Sequence, residues 1–286
     1  MTQIREKIKE RELFLEAQGK ELKYKPSTRI LMPNGIELQY YRYLLNYVRT
    51  LINLTKEIYY PALENAVFQA KEVVPAYDSI QLIIDTYTDS ILEGLAKTQI
   101  ALNSEFTEFS LFNNATFVAN EVADFSREEL QRLTRQAVGV DIFTSEPWLA
   151  DTVQSFAENN VKLIKTVPEK YFNEIRQLSV QGIQQGKSFR AIKSEIIERQ
   201  GVSKWNAERI ARDQILTLNS QMNEYRQREI GVSSYVWRTM GDNRVRPRHT
   251  AREGKVFFWN NPPSGGHPGS EVLCRCFAEP NLEKFL

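Results

Sequence analysis

Residues 201–231, "GVSKWNAERIARDQILTLNSQMNEYRQREIG", are followed at once by "SSYVWRT" (233–239), and the fold class is decided where one pattern gives way to the other. In the first stretch Ala207, Ala211, Gln214, Leu218, Met222 and Tyr225 fall on one helical stripe. Ser203 is placed to cap its start and Gly231 to end it. In the second the period drops to two, and "SSYVWRT" and "KVFFW" (255–259) have the β-branched and aromatic content of short strands. A Gly-, Asn- and Arg-rich loop separates them, and a Pro- and Gly-rich hook follows.

Upstream the chain reads as helix. "QYYRYLLNYVRTLINLTKEIYY" (39–60) sets Tyr40, Tyr41, Leu44, Tyr47, Val48 and Leu51 on one face, suited to core or partner-helix packing ahead of a base-stacking surface. "MPNGIEL" (32–38) marks a turn before it. Further helices are expected around 79–100, 126–138, 147–165 and 169–185. The predicted class is α+β: a predominantly α-helical N-terminal region, residues 1–150, and a small C-terminal α+β module, residues 151–286, with its core at 203–280. "GIQQGKS" (182–188) imitates a phosphate loop but has three residues, not four, between its glycine and Gly-Lys-Ser, and it follows a helix instead of a strand. Gly186 ending one helix and Ser188 capping the next, "SFRAIKSEIIERQG", explain it.

Composition narrows the classes. Lys plus Arg (37) nearly balances Asp plus Glu (36), so no global field draws the chain to nucleic acid or acidic lipid. The opening "MTQIREKIKERELFLEAQGK" is too charged for a secretory signal, and no membrane span is expected. A soluble protein in a reducing cytosol is expected, where two cysteines are free or metal-bound before they are cross-linked.

Those cysteines, Cys274 and Cys276, share the C-terminal hook with His267, and the second of the chain's two histidines, His249, lies a short loop upstream. A loop-rich segment buries little apolar surface of its own, so something must hold it. In an extended strand Cys-x-Cys sends both sulfurs to one face, and two imidazoles complete the tetrahedral set that zinc prefers. The alternative is a buried cysteine pair with both histidines hydrogen-bonded to loop backbone. Asp242 is placed to orient a histidine. The loop 238–255 carries Arg238, Arg244, Arg246, Arg248, Arg252 and Lys255 against Asp242 and Glu253. Arg244, Arg246, Arg248 and Arg252 suit phosphate or DNA contact, or a solvated ion-paired loop. No deaminase, HExxH, serine-elbow or dinucleotide pattern is present. With both histidines as ligands, none would remain as the general base of a metal nuclease.

The order "ARDQ" on a helix, a glycine turn, "YVWRTMGDNRVRPRH", "GKVF", "PP", "HP" and "CRC" followed by proline resembles the phage Mu F-like family of minor head, or head morphogenesis, proteins. Trp237, Asp242, Arg244, Arg246, His249, Gly254, Pro262, Pro263, His267, Pro268, Cys274, Arg275 and Cys276 stand in the motif positions. Here "GSEVL" intervenes between His-Pro and Cys-x-Cys and lengthens the hook. The resemblance implies a non-enzymatic component of tailed-bacteriophage heads, present in few copies in the virion interior and in host cytoplasm during assembly. Its implied partners are the portal protein, the major capsid or scaffolding protein and, in some members, DNA. The alternative is a metal-dependent nuclease acting on phage or host DNA.

Overall fold

The computed structural model describes residues 3–25, 30–72, 80–142 and 145–285. Helices α1 (Gln3–Glu16), α2 (Asn34–Leu54), α3 (Tyr60–Glu72), α4 (Ile80–Glu105), α5 (Glu108–Val138), α6 (Leu149–Gln184) and α7 (Phe189–Glu229) precede strand β1 (Ser234–Arg238), the single turn α8 (Pro247–Thr250), and strands β2 (Val256–Phe258) and β3 (Phe277–Pro280). A π-helical turn, Thr55–Tyr59, joins α2 to α3. The expected class holds: mostly helix, with one small antiparallel sheet near the C-terminus.

Two expected breaks are absent. The helices expected at 147–165 and 169–185 are the single helix α6 (Leu149–Gln184), with Pro168 inside it. Proline in a helix interior costs about 3 kcal/mol. Around it Ile164, Val167, Tyr171, Phe172 and Ile175 are all buried, each side chain contributing about 1.5–3 kcal/mol, so packing outweighs the break. Ser203 is likewise no cap but a buried residue well inside α7. Gly201 before it costs about 1 kcal/mol in a helix, which buried Ile196, Ala207 and Ile210 offset. The stripe on α7 also differs: Ala207, Ala211, Leu218 and Met222 are buried, but Tyr225 is exposed. In the last turns of α7 the covered face is partly polar, with Asn219, Asn223, Arg226 and Gln227 all buried.

Where glycines were expected to end helices, they do. Gly186 (φ 70°) closes α6, with the Lys187 N–H donating to the Gly182 carbonyl, and Ser188 Oγ accepts the Ala191 N–H at 3.3 Å to start α7. Gly231 (φ 87°) closes α7 in the same way, the Val232 N–H returning to the Gln227 carbonyl.

The chain forms two compact units that alternate along the sequence. One comprises Met1–Leu38, Thr116–Phe156 and Arg212–Leu286; the other comprises Gln39–Ala115 and Ala157–Ala211. This grouping cuts across a succession of 1–150 and 151–286, because α2, α5, α6 and α7 each give part of their length to each unit.

In the second unit the tyrosine-rich face of α2 is core. Tyr40, Leu44, Tyr47, Val48 and Leu51 are buried; Tyr40 donates to Asn160 Oδ1 (3.0 Å), Tyr59 pairs with Ser179 (2.6 Å), and Tyr47 meets Phe106 edge-on at 4.9 Å. That face is occupied from within, so it offers no stacking surface and no surplus for a partner helix.

In the first unit α1 supplies Ile4 and Ile8 to a cluster with Leu130, Val138, Ile230, Val232 and Leu282. The sheet has the order β2-β1-β3, with β1 antiparallel to both neighbours. Tyr235 and Trp237 of β1 face a second cluster containing Trp259, Cys274, Cys276 and Ala278. β3 is an edge strand, as its Pro280 requires, yet all four residues are buried: Asn223 (2.9 Å) and Gln227 (2.7 Å) of α7 donate to the Ala278 carbonyl.

The first unit also contains a buried ion pair. Arg226 (side chain 0% exposed) donates to Glu146 (7%) at 2.5 Å and lies over the Trp148 ring, while Arg127 reaches the same carboxylate at 2.7 Å. Burial alone would raise the Glu146 pKa, but the two guanidiniums more than offset it and hold the group at about 2. Its stabilisation is therefore complete above the ordinary value of 4.5 and is lost as pH falls towards 2. Glu146→Gln, which leaves Arg226 buried without its counter-charge, should cost about 3–5 kcal/mol in denaturant unfolding. It should also flatten the loss of stability between pH 4.5 and 2, and an unchanged acid profile would contradict this role.

Candidate metal centre

His249 is set by the turn α8. Pro247 opens the turn, Arg246 before it is extended (φ −63°, ψ 141°), and the His249 N–H returns to the Arg246 carbonyl at 2.8 Å. The cysteines come from the extended lead-in to β3, so both sulfurs lie on one face, as the Cys-x-Cys spacing predicts. His249 Nδ1 is 3.6 Å from Cys274 Sγ and 3.4 Å from Cys276 Sγ. The three donors all lie within 4.8 Å of one another, and all three residues are buried. For zinc bonded to sulfur at about 2.3 Å and nitrogen at about 2.0 Å, a tetrahedral N-to-S edge is about 3.5 Å, so the two sulfur–nitrogen distances fit one ion.

The two thiols act on each other. A hydrogen bond from Cys276 lowers the Cys274 pKa against the opposing effect of burial, and backbone N–H groups, including that of Gly269 (3.5 Å to Sγ), add to the lowering. The same contact and the neighbouring thiolate push Cys276 up.

Supporting contacts hold the donors in place. Leu273, with φ 57°, turns the chain into the cysteine segment, and its N–H donates to Asp213 Oδ1 on α7 at 2.6 Å. The Trp237 ring meets His249 edge-on at 5.2 Å. Glu271 Oε2 is 3.3 Å from His249 Nε2, the position from which a carboxylate orients a ligating imidazole. That role was expected of Asp242. Instead Asp242 grips Arg275, between the two cysteines, through both oxygens (2.8 and 2.5 Å), and Arg275 holds its carboxyl down at about 2. It therefore fixes the cysteine segment and not a histidine.

His267 does not join the three donors. Its Nδ1 pairs with the Tyr235 hydroxyl (2.9 Å), its ring packs on Tyr235 and Trp259, and burial lowers its pKa. Residues 269–273, the lengthened part of the hook, separate it from Cys274 and are tied to α7 through Thr217–Gly269 and Asp213–Leu273. The exclusion of a nuclease on the ground that both histidines are ligands thus loses its premise, although the Nδ1 of His267 is already engaged.

The four arginines expected to meet phosphate mostly bind the protein's own hook. Arg246 donates to the Val272 carbonyl (2.7 Å), Arg248 to Glu271 (2.6 Å) and Arg252 to the Ser264 carbonyl (2.6 Å), with the Arg252 guanidinium over the Trp237 ring at 4.9 Å. Arg244 stays largely exposed at 67%, 3.4 Å from Asp242. Sequence reasoning missed Glu271 and Asp213. Glu271 lies in the intervening "GSEVL", and Asp213 lies within the "ARDQ" of the motif, where an acid on the flank of a helix was the available signal.

Residues 173–279 match the model of the family described as Phage Mu protein F like protein, and the matched stretch contains every donor above. The resemblance read from the motif is thereby supported, and the role attached to it is phage head morphogenesis. An uncharacterized protein of Haemophilus influenzae is 25% identical over 276 residues. That alignment takes in 95% of this chain, which spans 58% of the length of the relative. No solved structure matches.

Asp213→Ala removes the acceptor of the Leu273 N–H and should destabilise the first unit by about 1–3 kcal/mol. In the native protein it should also speed alkylation of Cys274 and Cys276 several-fold, read by mass spectrometry of iodoacetamide-treated protein. Unchanged thiol reactivity would mean that Asp213 does not hold the hook.

Proposed function

We propose that the chain acts as a minor head protein of a tailed bacteriophage, structural in role, whose C-terminal module is held together by one zinc ion on His249, Cys274 and Cys276. The observation that carries this reading is the family match over residues 173–279, a stretch that includes all three donors. Bound zinc would hold the hook against α8 and the lead-in to β3, adding to the buried cluster of Trp237, Trp259 and Ala278. Asp242, Glu271 and Asp213 keep its ligands aimed.

Its partners in this reading are the portal protein, with the major capsid or scaffolding protein around it, inside the head. In the second unit Ile100 (69%) and Phe109 (74%) are large apolar side chains left exposed, and they furnish the contact. Contact with packaged DNA falls to Arg244 and is weak and sequence-independent, since Arg246, Arg248 and Arg252 are engaged in the hook. Among the described residues, no helix is long and apolar enough to cross a membrane.

Elemental analysis should find about one zinc per chain, and Cys274→Ser should release it and make residues beyond Gly231 sensitive to protease. Metal-free protein with a protease-resistant hook would refute the zinc. Co-expressed portal protein should co-purify with the chain and be lost on joint Ile100→Glu and Phe109→Glu substitution; retention by that variant would refute the contact.

A further inference from the structure

We infer that the metal centre has only three protein ligands and that its fourth position faces a small cavity, where it takes an exchangeable anion. The inference rests on the zinc reading above and specifies what completes the coordination sphere.

The cavity is lined by His249, Cys274 and Cys276 themselves, together with Val245, Leu273 and the arginines Arg244, Arg246 and Arg275. All three donor residues thus line the same small cavity, and among the described residues no fourth His, Cys, Asp or Glu joins their cluster. The nearby groups that could have closed the sphere are committed elsewhere. His267 is bonded to Tyr235, Asp242 to Arg275, and Glu271 to Arg248, with its carboxylate 3.3 Å from the far nitrogen of His249. Glu271 therefore lies across the imidazole from the sulfurs, where it cannot bind the same ion as Nδ1.

Zinc sites closed by four protein ligands are structural, whereas sites with three keep a position for water or an added ligand. Charge selects the ligand. Two thiolates balance the divalent ion. Of the guanidiniums around the cavity, Arg244 and Arg275 share Asp242, and Arg246 lies 3.5 Å from Glu271. Three cationic groups thus stand against two carboxylates, so hydroxide or another small anion is favoured over a neutral group. Val245 and Leu273 limit the size of what enters.

The test replaces zinc with cobalt(II) in the full chain and follows the visible d–d bands, with azide as the probe. The expected result is about one cobalt per chain, bands that shift saturably as azide is added, and the same cobalt content and spectrum in His267→Ala. Cobalt should be lost in Cys274→Ser. Bands that ignore azide would overturn the inference while leaving the metal reading intact, as would loss or alteration of the spectrum in His267→Ala. A wild-type chain that takes up neither zinc nor cobalt would overturn the metal reading and this inference together.

Discussion

Asp213, midway along α7, accepts the backbone N–H of Leu273, the only non-glycine residue with positive φ among the described residues. The left-handed region costs an L-residue roughly 1–2 kcal/mol, and a short charge-assisted hydrogen bond can hold it there. Everything chemically distinctive lies on either side of this point. Before it, the Glu271 carboxylate lies 3.3 Å from His249; after it, Cys274 and Cys276 bracket Arg275, whose guanidinium Asp242 holds. Were Leu273 to relax to the β-region, the cysteines would leave the face of Trp237 and His249, and β3 would lose its register with β1.

The long helix is therefore less a core element than a rail. Its terminal turns carry polar residues inward because the object they support is a backbone: Asn223 and Gln227 meet the carbonyl of Ala278, and Arg228 meets that of Trp259. An edge strand covered in this way presents no free ladder to other chains.

How much of this was legible in the sequence depended on whether the information was local. Gly186, Ser188 and Gly231 could be read because a positive φ or a capping oxygen is a property of one residue. The Cys-x-Cys convergence could be read because alternation is a property of any extended segment. Pro168 and Gly201 misled because their local cost is smaller than the burial around them, which only the folded chain reveals. The donor cluster is one residue smaller than the set expected from the sequence, for a related reason. His267 shares the hook with the cysteines in sequence, yet Tyr235 and Trp259 hold its ring. Asp242 was expected beside a histidine and Glu271 was not expected at all, because only the path of residues 269–273 decides which carboxylate lies near His249.

The shared core of Ile4 and Ile8 with Ile230, Val232 and Leu282 bears on how the protein is made. The residues of the second unit have all been synthesised by Ala211, but α1, which can meet Leu130 and Val138 earlier, completes its packing only with Ile230, Val232 and Leu282. At about 5–20 residues per second that interval is on the order of tens of seconds. During it the apolar stripe of α1 is open to chaperones or to neighbouring nascent chains. The first unit closes only when synthesis has passed Leu282, so a ribosome that stalls inside the hook releases a chain whose beginning is as unfinished as its end.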